Sequence, residues 1–319
     1  MFQYSVYGLS LASDTALPEL DRFVATPAEA TVSINVRLRV VGHSDPGTAR
    51  WFLRSTLPNG DDWALCGKIE GGYLLRFVGL ADFVVDRRGR DLRCTSVEPG
   101  ASPETLRHLL LDRVLPLVLN LLGLDVLHAT AVLTPAGVCA FIGPAGAGKS
   151  TLAASFGTAG YAPFCDDCLV VRLNGRILCT PGYPGVRLWS DSFAALGNQP
   201  VTSSGVAEYT SKCRIVNTNE EFPTGLCPLI AIYRISRPAA GEPALRTVLI
   251  EPLTGREAFM ELVSSAYVLD VTEPTTLSRH FRFIEQLVAG VTIDRLWLPN
   301  DFAFLPAARR AVLTEIGET

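Results

Sequence analysis

The residues Gly143-Pro-Ala-Gly-Ala-Gly148-Lys149-Ser150 fit the pattern G-x-x-x-x-G-K-[ST] without a mismatch. Each position has a physical reason. The glycines let the backbone approach an anion closely and turn successive N–H groups inward. A helix beginning near Lys149 adds the positive end of its dipole. Lys149 supplies a point charge to the β and γ phosphates of a nucleotide, and the Ser150 hydroxyl is a hard oxygen ligand for Mg2+. The nucleotide contacts are therefore expected from Gly143, Pro144, Ala145, Gly146, Ala147, Gly148, Lys149, Ser150 and Thr151.

Further along the chain stands Asp166-Asp167, after the short stretch Tyr161–Cys165. The apolar run Cys168–Leu173 follows, and Asn174-Gly175 is expected to fold it into a hairpin with Arg176–Cys179. Two adjacent carboxylates near phosphates can divide the labour, one holding the metal and the other accepting a proton from the attacking hydroxyl. An acidic loop that merely caps the hairpin is the alternative.

Four more residues are candidates for the same chemistry. Arg187, in Gly185–Trp189, could reach a transferred phosphate or a substrate carboxylate with its planar fork. Lys212 and Arg214 alternate along a predicted strand and so share one face, where two cations could stabilise transition-state charge. A solvated strand face accounts for that pair nearly as well. His128 is a polar residue in the apolar run His128–Leu133, placed to contact phosphate or tune the aspartates, or else to bond backbone in the core. Arg279 and His280 receive no role.

The elements that must position these groups can be read from the flanks. The run His128–Leu133 reads as one strand, Pro135-Ala136-Gly137 as a turn, Val138–Ile142 as a second strand, and Lys149–Phe156 as a helix. Strand, glycine-rich loop and helix in that order are the setting the motif requires. Val291–Leu296 and Ala307–Ile316 read as a closing strand and an amphipathic helix. Before about residue 100 the pattern favours strands, with TVSINVRLRVV over Thr31–Val41 and β-rich runs at Tyr73–Phe77 and Phe83–Val85. Turn clusters such as Pro58-Asn59-Gly60-Asp61 and Arg88-Gly89-Arg90 separate them, so a small, mostly antiparallel β domain is expected over 1–100. Ser102-Pro103-Glu104 opens a helix running toward Gly123, with a kink or break at Pro116, and 101–125 is expected to link the β domain to a second domain over 126–319.

Composition narrows the function classes. The net charge of −4 argues against nucleic acid as a partner, because no basic excess is present to neutralise a phosphate backbone. The apolar run Leu106–Leu124 carries Arg107, His108, Asp112 and Arg113, which makes it a poor membrane span. Eight cysteines in a long, core-rich chain whose Met1 is not followed by a secretory signal pattern read as reduced thiols, and a cytoplasmic setting is expected. Cys165 and Cys168 form a CxxC without the second pair or histidine that a zinc site needs.

Taken together, His128 ahead of the loop strand, Gly143–Ser150, and Gly160-Tyr161 leading to Asp166-Asp167 resemble the HPr kinase/phosphorylase family over Leu127–Leu173. The resemblance implies an α/β domain, within an α+β whole, of the type shared with phosphoenolpyruvate carboxykinase. It implies ATP and Mg2+ as cofactors, Asp166 as base toward a serine hydroxyl, and Asp167 beside Ser150 on the metal. The chain departs from the family in having Thr151 where bifunctional members have glutamate, and Pro181–Trp189 in place of a glycine-rich second signature. Those departures argue against phosphorylase activity and against HPr itself as substrate. The opening Tyr4-x-x-Tyr7-Gly8-Leu9-x-x-Ala12-Ser13 and the Leu17–Leu20 segment are similar to HPr-kinase-like proteins found with lasso-peptide biosynthetic genes, which phosphorylate the C-terminal serine of a precursor peptide.

The expected activity is transfer of the ATP γ-phosphoryl group to a serine hydroxyl of a peptide or protein, with a homo-oligomer as a possible form. Two alternatives stay open: a kinase of a small alcohol or sugar, and a nucleotide-dependent binding module.

Overall fold

The β-rich runs before residue 100 form one eight-stranded sheet in the computed structural model, which describes residues 1–24, 33–39, 47–97, 100–183, 185–197, 201–217, 222–223, 225–238 and 245–318. The strands are β1 (Phe2–Val6), β2 (Leu9–Ser13), β3 (Ser33–Arg39), β4 (Arg50–Thr56), β5 (Asp62–Ile69), β6 (Gly72–Phe77), β7 (Ala81–Asp86) and β8 (Asp91–Ser96). Their spatial order is β1-β2-β3-β8-β7-β6-β5-β4. Most neighbours are antiparallel, as the turn-rich sequence leads one to expect, but β3 runs parallel to both β2 and β8. Thr31, Val32, Val40 and Val41 of the expected strand lie outside the described residues.

The Tyr7-Gly8 turn between β1 and β2 has φ of 56° and 73°, the paired positive values of a tight hairpin. The Tyr4 hydroxyl accepts a hydrogen bond from Leu17 N at 2.8 Å, so the opening residues have a structural task.

The helical run after the sheet is capped as expected, with Ser102 Oγ accepting from Thr105 N. It forms α1 (Pro103–Leu109), a π-helical turn at Leu110–Val114, and α2 (Leu115–Leu121). Pro116 therefore sits in the first turn of α2, where its missing N–H costs little, and the widened turn before it absorbs the kink.

Contacts divide the chain into two units, one of residues 1–124, 206–210 and 268–277, the other of residues 125–205, 211–267 and 278–319. In the second unit the strands are β9 (Asp125–Leu127), β10 (Thr130–Thr134), β11 (Gly137–Ile142), β12 (Pro163–Cys165), β13 (Leu169–Leu173), β14 (Ile177–Thr180) and β15 (Val186–Leu188). The later strands are β16 (Val201–Ala207), whose end falls to the first unit, β17 (Thr210–Asn217), β18 (Cys227–Ser236), β19 (Leu249–Pro252) and β20 (Thr292–Trp297). Helices α3 (Lys149–Gly157), α4 (Ser190–Ala195), α5 (Gly255–Ser265), α6 (Pro274–Gly290) and α7 (Leu305–Glu315) complete it.

Nine of these strands form a mixed sheet running β12-β10-β11-β18-β14-β13-β9, with β20 paired to β18 and β19. At its centre β11, β18 and β20 are parallel. Val138, Ala140 and Ile142 of β11 pack with Leu262, Phe283 and Leu287 of α5 and α6. Cys139 and Phe141 pack with Leu152 and Phe156 of α3 and Val312 of α7 on the other face. Helices on both faces explain why β11 is apolar at every position after Gly137. Phe141 is fully buried, and its loss to alanine would cost about 3–5 kcal/mol, which fixes the end of β11 where the glycine-rich loop begins.

One expected element is corrected. His128–Leu133 is not a single strand: β9 ends at Leu127 and β10 begins at Thr130. Between them His128 N donates to Ser265 O and Ala129 N donates back to Leu127 O, so both amides leave the sheet ladder. Both expected hairpins form, β10 with β11 and β13 with β14.

Candidate functional site

The loop Gly143–Gly148 leaves the end of β11 and enters α3 at Lys149. Gly143, Gly146 and Gly148 all have positive φ, at 138°, 82° and 102°, values that L side chains rarely adopt. A Cβ on Gly143 would also lie 3.1 Å from Ile235 O. The sequence pattern thus has a direct backbone cause. Pro144, Ala145 and Gly146 are exposed at the loop tip. The first amides of α3 have no intrahelical acceptor, and so remain available to an anion.

Lys149 is buried, and its Nζ donates to Gly143 O at 2.8 Å and Pro144 O at 3.3 Å. The ammonium is thus held across the loop by its own carbonyls. Thr151 is buried too, with its Oγ1 at 3.2 Å from Ser192 Oγ, so its hydroxyl is turned to α4 and only its amide is left to meet a ligand.

Asp166 lies 4% exposed beneath the start of α3. Its Oδ1 accepts from Ser150 Oγ at 2.8 Å and from Thr130 Oγ1 at 2.7 Å. Its Oδ2 accepts from Arg187 N at 2.9 Å and Arg187 Nε at 3.2 Å. The Ser150 hydroxyl, expected to share a metal with Asp167, is therefore bonded to Asp166. The two acids are separated by backbone geometry. Asp167 has φ of 64°, and its side chain, 16% exposed, points to a different set of neighbours. Its Oδ1 is 3.8 Å from His128 Nδ1, and its Oδ2 is 3.5 Å from Arg187 Nη2. His128 Nδ1 is also 3.0 Å from the Tyr267 hydroxyl.

Arg187 is turned inward. It is buried, with Nη1 donating to Tyr183 Oη at 2.9 Å and Nη2 to Asp166 O at 2.8 Å. Its fork locks the Asp166-Asp167 turn from within, through both backbone and side chain. The antiparallel pairing of β15 with β17 sets Arg214 opposite Arg187. Arg214 lies over the Tyr183 ring at 5.5 Å and Lys212 over the Trp189 ring at 5.3 Å, so both cations are half-buried on aromatic faces instead of standing free in solvent.

The structure thus gathers Ser150, Asp166, Asp167, His128 and Arg187 through direct contacts, and links Arg214 to them through Tyr183. Lys212 lies over Trp189. Thr130, Tyr183 and Tyr267 also touch this group, and the sequence does not single them out. Tyr183 lies inside the Pro181–Trp189 segment noted above; the others carry no motif, because their roles come from long-range pairing.

Cys165 and Cys168 are buried thiols outside any disulfide, and desolvation pushes the Cys165 thiol far above its ordinary range. Among the described residues no three His, Cys, Asp or Glu side chains gather as a metal cage. A magnesium ion that arrives with a nucleotide needs no such cage, since phosphates and water supply most of its ligands. The neighbouring oxygens of Ser150 and Asp166 are hard donors that fit that role. No helix among the described residues is long and apolar enough to cross a membrane.

No known family model matches the sequence, and no curated protein matches it. Among solved structures it is similar to the HPr(Ser) kinase/phosphatase from Coxiella burnetii, at 12% identity with a TM-score of 0.29 over 60% of this chain and 99% of that one. A TM-score that low does not equate the two folds. The chain is a mixed α/β protein with several sheets.

Proposed function

We propose that this chain is an ATP-dependent kinase that transfers the γ-phosphoryl group to a hydroxyl, with a serine of a peptide or protein as acceptor. The observation that carries the reading is the 2.8 Å hydrogen bond from Ser150 Oγ to Asp166 Oδ1, which joins the loop motif to the acidic pair. It also supports a division of labour opposite to the one the family resemblance implies. Asp166, saturated and buried beside Ser150, is the metal-side carboxylate. Asp167, partly exposed and aimed elsewhere by its positive φ, is the group that accepts the acceptor's proton.

In this reading the loop amides and Lys149 hold the β and γ phosphates, with Lys149 exchanging its hold on Gly143 and Pro144 carbonyls for phosphate oxygens. Mg2+ would supply charge neutralisation to the nucleotide phosphates. Ser150 and Asp166 are the residues that would hold it. Arg187 and Tyr183 keep the acidic turn in shape, while His128 and Tyr267 flank the Asp167 carboxylate. Phosphoryl transfer needs positioning and charge stabilisation more than covalent chemistry, so this set suffices. A serine at the C-terminus of a precursor peptide is the acceptor class that the opening residues favour by resemblance.

The test is mass spectrometry after incubation with Mg-ATP and a serine-ended peptide, beside its alanine-ended twin. Phosphate is expected on the serine peptide alone. Binding of ATP without phosphate on either peptide would reject the peptide acceptor, in favour of a small alcohol or a nucleotide-gated binding role.

A further inference from the structure

Arg237 immediately follows β18, at the carboxyl edge shared by the parallel strands β11, β18 and β20. Its guanidinium joins three places. Nε donates to Ala147 O in the loop at 3.0 Å, while Nη1 donates to Pro299 O at 3.0 Å and to Asn300 Oδ1 at 2.6 Å beyond β20. Nη2 packs against Gly148 so closely that a Cβ there would lie 2.8 Å from it.

We infer that Arg237 is a positioning residue that aims the Gly148 amide at bound phosphate. The peptide between Ala147 and Gly148 is planar and trans, so its C=O and N–H point in opposite directions. Holding the carbonyl outward on Arg237 turns the Gly148 N–H inward, toward the concave side of the loop. The arginine is in turn held by Pro299 and Asn300, so the loop is braced against the end of β20. Burial lowers the Arg237 pKa, which marks a guanidinium already partly stripped of water and committed to these acceptors.

The inference rests on the nucleotide-binding reading above, and one titration separates the two. ADP without metal is titrated into the wild-type chain, Arg237→Lys, Arg237→Met and Asn300→Ala, with the melting temperature of each unliganded protein measured alongside. Lysine keeps the charge but cannot bridge Ala147 O to the β20 end, so it is expected to lose affinity almost as methionine does, by about 10- to 100-fold. Asn300→Ala is expected to lose affinity by a few fold. The unliganded melting temperature of Arg237→Lys should stay near that of wild type, which a purely structural role would not allow.

If wild type fails to bind ADP, the kinase reading falls and this inference with it. If wild type binds and Arg237→Lys matches it while Arg237→Met does not, the arginine acts as a charge and the brace is rejected. If both variants bind as wild type, Arg237 has no part in the loop's function.

Discussion

Asp270 in the first unit and Asp166 in the second are buried carboxylates that each receive four hydrogen bonds, two on each oxygen, and they make an instructive pair. In the first unit Asp270 Oδ2 accepts from Lys68 Nζ at 2.7 Å and the Tyr73 hydroxyl at 3.0 Å, while Oδ1 accepts from Thr272 N and Oγ1. Lys68 and Tyr73 are cross-strand partners on β5 and β6, so this carboxylate pins its own segment to a hairpin. In the second unit Asp166 is as fully satisfied, but one donor, Ser150, comes from the first turn of the helix that follows the glycine-rich loop. Saturation alone therefore marks no site. What distinguishes Asp166 is that one of its donors, Ser150, belongs to the glycine-rich loop motif, which the proposed function sets on a nucleotide.

Substitution by asparagine separates the two, and Asp166→Asn should have the largest effect. It removes the nearer of the two carboxylates beside the buried Arg187 guanidinium, leaving only Asp167 at 3.5 Å, at a cost of about 3 kcal/mol in stability. Phosphoryl transfer should fall with it, read by thermal melting beside the peptide assay. The neighbouring Asp167→Asn should lower kcat by roughly 100- to 10,000-fold, with melting temperature and ADP affinity nearly unchanged. If the two variants behave alike in both readouts, the assignment of different tasks to them fails.

Asp270→Asn should cost less, about 1–2 kcal/mol, because the Lys68 side chain is 36% exposed and water can take over its charge. Transfer per folded molecule should not change. Desolvation opposes ionisation of Asp270, but the hydrogen bonds from Lys68, Thr272 and Tyr73 outweigh it and hold the carboxyl below its ordinary range. A depressed folded pKa contributes stability above the unfolded value that is lost as pH falls through the folded one. The gap between wild type and Asp270→Asn in denaturant melts should therefore shrink below about pH 4. A gap that persists at pH 2 would show that packing, not charge, is responsible.

The smallest effect is expected at Asp125, where the sign reverses. Burial raises its carboxyl to about 6, and Arg279 at 3.8 Å only partly offsets this. The folded state then binds the proton more tightly, so the Asp125 contribution to stability is greatest at low pH and is lost as pH rises through about 6. Asp125→Asn should match wild type near pH 4 and melt slightly higher at pH 7. A lower melting temperature at pH 7 would mean that the Arg279 contact dominates.

Local signals gave a sound account of local structure. The loop, both hairpins of the second unit and the capped start of α1 follow from glycine, proline and Asn-Gly chemistry within a few residues. The acidic pair is recognisable from its place after the loop, but the different surroundings of its two carboxylates are not. Those depend on the φ of Asp167 and on an arginine brought back by β15. Arg187 looked like a substrate contact because an arginine in a loop is usually exposed, and only the pairing of β15 with β17 shows it to be internal. His128 read as a strand residue because its neighbours are apolar, while the acceptor that diverts its amide is Ser265, far along the chain. Arg237 carried no signal at all, since its partners lie at both earlier and later points in the sequence.

If Asp167 is the proton acceptor proposed above, its backbone also places stability and function under opposing selection. A left-handed φ of 64° is uncomfortable for most side chains and natural for glycine. Variants chosen for heat resistance alone would drift toward glycine there, and each such change would remove the carboxylate that the turn presents. An aspartate retained at this position in a thermally stabilised lineage would be a record of catalytic demand, written against the preference of the chain.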